Sequence, residues 1–189
     1  MTTPLDPWLP LHTERLILRD FREDDVDDIH AYGSDPRVAR FMDWGPNSLE
    51  DTRIFLERRL VDQATTPRVE FGLAIEHAAQ GRVIGAIGLH PFDPRNAARA
   101  VGYCLHHDAW GQGIALEAAR AVIGAAIAAL DLHRVIATCD VANVASFRVM
   151  EKLGMRREGC FRRDRLIKGD WRDTYLYAVL AADWAPDCP

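Results

Sequence analysis

Lysine is nearly absent from this chain. Lys152 and Lys168 are the only two in 189 residues, and arginine supplies the rest of the 23 basic side chains. Against 28 acidic residues they leave a net charge of −5. That balance argues against a protein that grips nucleic acid through general basic charge; it suits a cationic partner. Cysteine is scarce too. Cys104, Cys139, Cys160 and Cys188 include no C-x-x-C pair, so neither a metal ribbon nor a disulfide framework is written into the spacing. Three of the four fall in strand-like runs, where a free thiol behaves as a small buried hydrophobe, and a reducing cytoplasm is the compartment this implies. The opening Met1-Thr-Thr-Pro-Leu-Asp6 has the character of neither a signal nor a transit peptide. No apolar run is long and unbroken enough to span a membrane as a helix. Internal repeats, low-complexity tracts and a second domain are missing as well. What is left is a globular composition, 48% hydrophobic and 27% charged, in a chain long enough for one domain with a real core.

Residues 1–12 are Pro-rich and read as a loose arm, with a single domain over 13–185. Glu14–Arg19 alternates as a strand should. Glu23–Ala31 reads as a short helix with carboxylates in its first turn, where the helix dipole favours them. Pro36–Met42 adds a further helical turn. Ser48 and Asp51 form a capping-box pattern for a helix running to about Gln63. Phe71–Glu76 and Arg82–Leu89 make a hairpin across Ala79-Gln-Gly81, followed by a loop from His90 to Asn96. A strand over 100–105, an apolar helix over 113–129 and a strand over 134–139 form a βαβ unit, whose strands must run parallel. Asn143–Leu153 is a helix closed by Gly154. A last hairpin, 155–167 with 171–180, turns at Lys168-Gly-Asp170. The class is mixed α/β (α+β).

The join between the 100–105 strand and its helix reads Trp110-Gly-Gln-Gly-Ile-Ala115. The first amides of a helix have no partners within it and lie at the positive end of its dipole. A phosphate fits such a place, and two glycines let it approach the backbone. A dinucleotide-binding turn would place a third small residue where Leu116 stands, and would sit closer to its strand than His106–Trp110 allows. A loop and helix start with no ligand fits the same residues.

Four stretches taken together decide the matter. Thr13-Glu-Arg-Leu-Ile-Leu-Arg19 comes first. Val101-Gly-Tyr-Cys-Leu105 follows, with Trp110–Ala115 and Glu117-Ala118. Then come Asn143-Val-Ala-Ser146 leading into Glu151-Lys-Leu-Gly-Met155, and lastly Gly169-Asp-Trp-Arg-Asp173. In this order they resemble the GCN5-related N-acetyltransferases (GNAT), and within them the ribosomal-protein branch that includes RimJ and RimL. The resemblance implies the GNAT fold: a mostly antiparallel, twisted sheet of about seven strands with a central splayed parallel pair, and about four helices. It implies acetyl-CoA as cosubstrate and a primary amine as acceptor, either a protein N-terminus or a small molecule, with direct attack in a ternary complex. It implies no metal, no nucleic acid and no membrane as partner; a homodimer is compatible with the sequence but nothing in it argues for one.

Carried over by that resemblance, the backbone of Gly111, Gln112, Gly113, Ile114 and Ala115 would hold the diphosphate. Trp110 stands at the motif's first position, where Gln or Arg is the general form. The strand backbone at Tyr103, Cys104 and Leu105 would pair with the pantetheine arm in the splay. Asn143 would fix that arm or a water, and Ser146 would protonate the departing thiolate. Asn143 is equally a helix N-cap by position. An amine must lose a proton before it attacks, yet Ala98-Arg-Ala-Val101 lacks the glutamate many relatives carry there. His90 is the candidate base; Asp93, Glu117 or a water chain are alternatives, although Glu117 also reads as an i,i+3 partner of Arg120. Phe41, Trp44 and Asp93 are candidate acceptor contacts. The missing glutamate also leaves room for a non-catalytic acyl-CoA sensor of the same fold. His106-His107 lacks the accompanying cysteine or carboxylate cluster of a metal site.

Overall fold

The structure is a computed structural model that describes residues 8–185; Cys188 and residues 1–7 of the expected arm lie outside them. In chain order it has β1 (Leu11–His12), β2 (Leu16–Arg19), α1 (Val26–Gly33), α2 (Pro36–Ala39), α3 (Leu49–Ala64), β3 (Phe71–His77), β4 (Arg82–Asp93) and β5 (Ala98–Leu105). These are followed by α4 (Ile114–Leu130), β6 (Arg134–Asp140), α5 (Val144–Lys152), β7 (Arg156–Ile167) and β8 (Asp170–Leu180). The strands form one eight-stranded sheet in the order β1-β2-β3-β4-β5-β6-β8-β7. Every pairing is antiparallel except β5 with β6.

Alternation along the strands builds two cores. Leu73, Ile75, Ile87, Leu89, Val101 and Leu105 pack with Ile114, Ala118, Val122 and Ile123 of α4 and Met150 of α5. The intervening positions turn the other way: Ala74, Ala86 and Cys104 pack with Ile29 and Tyr32 of α1 and Leu56 of α3. The sheet thus has α4 and α5 on one face and α1 and α3 on the other.

The parallel pair holds for three positions, Ala98↔Arg134, Arg99↔Val135 and Ala100↔Ile136. Beyond it β5 stays with β4 as far as Gly85↔Leu105, while β6 stays with β8 as far as Asp140↔Thr174. The two halves of the sheet part there in a V, and unpaired edge strands offer hydrogen bonds to an added chain.

Several expectations need correction. There are eight strands, because Leu11 and His12, at the end of the expected arm, pair with Leu18 and Ile17. The expected helix over 23–31 opens as a 3-10 turn, Glu23–Asp25, before α1. The expected loop from His90 is strand as far as Asp93, since β4 keeps pairing with β5 through His90↔Ala100 and Pro91↔Arg99. Arg19, 7% exposed, ties three elements together. Its guanidinium is bidentate on Asp25 at 2.8 Å per bond and reaches Glu76 of β3 at 2.5 Å.

Candidate active site

The turn after β5 is shaped by positive backbone angles at both glycines, φ +73° at Gly111 and φ +78° at Gly113. Gly113 is the N-cap of α4, and the first intrahelical bond runs from Glu117 N to Gly113 O at 3.0 Å. Among the described residues, the amides of Gly111 to Leu116 donate to no backbone carbonyl, as expected of an uncapped helix start. Trp110 does not face this cradle through its ring nitrogen; its Nε1 donates to Leu105 O at 3.0 Å and closes the loop behind it. The Gln112 side chain turns back as well, donating to Asp108 O at 2.6 Å, which leaves only its backbone facing the turn.

Glu117 is not the partner of Arg120. Its carboxylate accepts from Thr13 Oγ1 at 2.6 Å, Arg15 N at 2.9 Å and Arg15 Nε at 2.7 Å. Burial alone would raise its pKa, but these hydrogen bonds outweigh burial and hold it below the usual carboxylate range. Arg15 Nη1 also donates to Gln112 O at 2.9 Å. The Thr13-Glu-Arg15 segment is therefore the brace that fixes the glycine turn.

Across the V, Tyr103 of β5 donates its hydroxyl to Ser146 O at 3.1 Å and lies 3.5 Å from Ser146 Oγ. Burial pushes the Tyr103 phenol up to about 12, so it stays protonated. Burial pushes the nearby Cys139 thiol up to about 11 as well. Asn143 caps α5, its side chain accepting from Ser146 N at 3.3 Å. The structure thus brings Tyr103, Asn143 and Ser146 together at the splay. Cys104 faces the opposite layer and Leu105 is core.

On the α1/α3 face the sheet borders a cavity of about 730 Å³. Its floor is a row of glycines, one per strand, paired as Gly72↔Gly88 and Gly88↔Gly102. Trp44 and His90 line it; Phe41 and Asp93 are not among the lining residues. Asp93 is occupied as the cap of a 3-10 turn, accepting from Arg95 N and Asn96 Nδ2. Phe41 stacks under Arg40, 4.9 Å from its ring centre. His90 extends over Gly88, where a methyl would strike its Nε2, while its Nδ1 hydrogen-bonds Glu70. Glu70 escaped sequence reasoning because it lies twenty residues from His90; only the β3–β4 register sets them side by side. Arg58 and Arg59 of α3 also escaped, since a basic pair on a helix ordinarily reads as solvated surface. One signal was present: glycines within strands mark close approach to the backbone.

Asp108 joins the histidine pair, contrary to the expectation that no carboxylate would: it is 2.7 Å from His107 Nε2 and 3.6 Å from His106 Nδ1. Arg37 Nη2, 3.0 Å from His107 Nδ1, places a cation against the same ring.

A sheet split at one parallel pair, with a bare helix start beside the split, is the architecture of a GNAT-type acetyltransferase. The chain belongs to the GNAT family, whose acetyltransferase domain matches residues 15–156. It is an N-acetyltransferase; solved structures of the same fold hold coenzyme A or acetyl-CoA. It is 32% identical over 174 residues to the uncharacterized N-acetyltransferase YnaD of Bacillus subtilis, covering 91% of this chain and 97% of that one. A GNAT acetyltransferase structure from Bacillus anthracis superposes with a TM-score of 0.81 at 32% identity, covering 90% of this chain and 98% of that one. The ribosomal-protein-serine acetyltransferase of Escherichia coli is 30% identical over 99 residues, 52% of this chain and 55% of that protein. Among the described residues no helix is long and apolar enough to cross a membrane.

Proposed function

We propose that this enzyme moves the acetyl group of acetyl-CoA to a primary amine, a protein N-terminus or a small molecule, by direct attack in a ternary complex. The free amides from Gly111 to Leu116, opening beside the V, carry this reading: they aim a diphosphate-bearing arm at the gap between β5 and β6. Amides of Gly111, Gln112, Gly113, Ile114 and Ala115 hold the diphosphate. The β5 backbone at Tyr103 to Leu105 pairs with the pantetheine, and Asn143 borders it.

The acceptor enters from the α1/α3 face, beside Trp44. His90 Nε2, its ring oriented by Glu70, removes a proton from the ammonium. The amine nitrogen then attacks the thioester carbon, and a β5 amide steadies the oxyanion. As the tetrahedral intermediate collapses, the C–S bond breaks and the CoA thiolate takes a proton from Ser146, while the attacking nitrogen sheds its surplus proton through water to restore the Ser146 hydroxyl. The Tyr103 hydroxyl beside it remains a donor throughout, since its proton is held to about pH 12.

Thiol release from acetyl-CoA against a panel of peptides and amines tests this. Turnover with an acceptor supports it; tight coenzyme A binding with no turnover on any amine makes the protein an acyl-CoA sensor instead. Ser146→Ala lowers kcat roughly 100-fold, the low end of general-acid effects, and changes coenzyme A affinity less than about threefold by calorimetry. An unchanged kcat assigns thiolate protonation elsewhere.

A further inference from the structure

The segment that leads from β5 into the glycine turn gathers a second kind of chemistry. His106, His107 and Asp108 bring three metal-ligating atoms within 4.8 Å of one another. His107 Nε2 is 2.7 Å from Asp108 Oδ1, and His106 Nδ1 is 3.6 Å from Oδ2 of the same carboxylate. Ligands held at about 2.0–2.1 Å around a tetrahedral metal lie roughly 3.3 Å from one another, so these spacings need only small side-chain movements to close on an ion. The Asp108 side chain, 75% exposed, is free to make them.

The partners of each ring decide where its lone pair points. His106 Nδ1 accepts from Asp108 N at 3.2 Å, so this nitrogen carries no proton and faces Asp108. His107 Nδ1 lies 3.1 Å from Asp35 Oδ2. Asp35 can only accept, because hydrogen bonds from Arg37 hold its carboxyl well below the usual carboxylate range. Arg37 Nη2, 3.0 Å from the same ring nitrogen, donates to Asp35 Oδ2 at 2.6 Å. The His107 proton therefore sits on Nδ1, and Nε2 turns its lone pair to an Asp108 oxygen. Two acceptors that close need a cation between them, either a second proton on the ring or a metal ion. A proton serves His107 alone, whereas a metal is shared by both rings and the carboxylate on which they converge. A carboxylate behind the imidazole, as Asp35 is here, is the usual support of a metal-bound histidine.

We propose that His106, His107 and Asp108 form a zinc-binding site, with water in the fourth position and Asp35 orienting His107. Two neutral imidazoles and one carboxylate suit Zn²⁺; Mg²⁺ and Ca²⁺ take oxygen ligands. The site is tied to the glycine turn through the backbone: Trp110 N donates to His107 O at 3.1 Å, and Gln112 Nε2 donates to Asp108 O at 2.6 Å. A bound ion clamps the segment from which the cradle rises, whatever amine the enzyme acetylates.

Zinc chloride titrated into the full chain without an affinity tag, by calorimetry, should bind one ion per chain, and magnesium chloride should not displace it. Asp35→Asn, which leaves all three ligands in place, should weaken the binding about tenfold, and His107→Gln and Asp108→Ala should each weaken it by about 100-fold. Melting curves show whether each variant is folded; Asp108 is exposed enough for its variant to serve if His107→Gln does not fold. Zn²⁺ held by Asp108→Ala as tightly as by the wild type overturns the proposal. So does a wild-type protein that takes up no stoichiometric Zn²⁺, in which case His107 is an imidazolium bridging Asp35 and Asp108. Neither result bears on acetyl transfer, which thiol release measures separately.

Discussion

Gly113→Glu abolishes coenzyme A binding, whereas Gly113→Ala keeps most of it. Both variants place a side chain at φ +78°, and both carry roughly 1–2 kcal/mol of left-handed strain. A Cβ there meets nothing nearer than Arg15 Nη2 at 3.6 Å, so neither clashes with the fold. Charge is the difference. A carboxylate about 4 Å from a phosphate oxygen opposes it by on the order of 4 kcal/mol at an effective dielectric of about 20, close to a thousandfold in affinity. Arg15 does not cancel this, because Glu117 already holds it at 2.6 Å. Calorimetry on the two variants, with melting curves to show that both are folded, measures the effect. Affinities within tenfold of each other would remove the diphosphate from this turn.

Arg19→Met destabilises the fold by about 3–5 kcal/mol, the usual result of removing one partner from a buried ion pair. Asp25, 5% exposed, loses both its bonds to the guanidinium, and Glu76 loses its own. Two uncompensated carboxylates then face each other between β2, β3 and the turn that opens α1. At about 2–4 °C per kcal/mol for a chain of this size, the melting temperature falls by on the order of 10 °C. Replacing Arg37, itself exposed on its pair with Asp35, changes it by no more than a degree or two, as solvent screens such a cation. Equal losses in the two variants would mean that burial does not govern the Arg19 cluster.

The contrast between these residues shows what was readable beforehand. Helix starts carry local signatures: Ser48 accepts from Asp51 N at 3.1 Å, and its own backbone N donates to the Asp51 carboxylate. The βαβ unit and the glycine turn were legible for the same reason, since period and turn chemistry lie within a few neighbouring residues. Strand ends were less so. Pro91 and Asp93 look like loop, yet pairing with β5 carries the strand through them. Long-range partners were not legible at all. Helical spacing points Glu117 at Arg120, but its carboxylate bonds Thr13 and Arg15, about a hundred residues away in the approach to β2. The cavity on the α1/α3 face suffers most, because Glu70, His90, Arg59 and Tyr32, at its lining or bonded to it, come from four separate elements or their flanks. Asp93, in the expected loop before β5, and Phe41, in the early helical region that the resemblance sets over the acceptor, stand outside the cavity.

The glycine row leaves this protein a standing temptation for anyone who sets out to harden it against heat. Glycine within a strand sacrifices roughly 0.5–1 kcal/mol relative to alanine, and the row holds three. Gly102→Ala is sterically free, so selection for thermostability alone will favour it. The added methyl would take space over β5 beside His90, where the proposed acetyltransfer brings the amine, and the hardier protein would then be the slower catalyst.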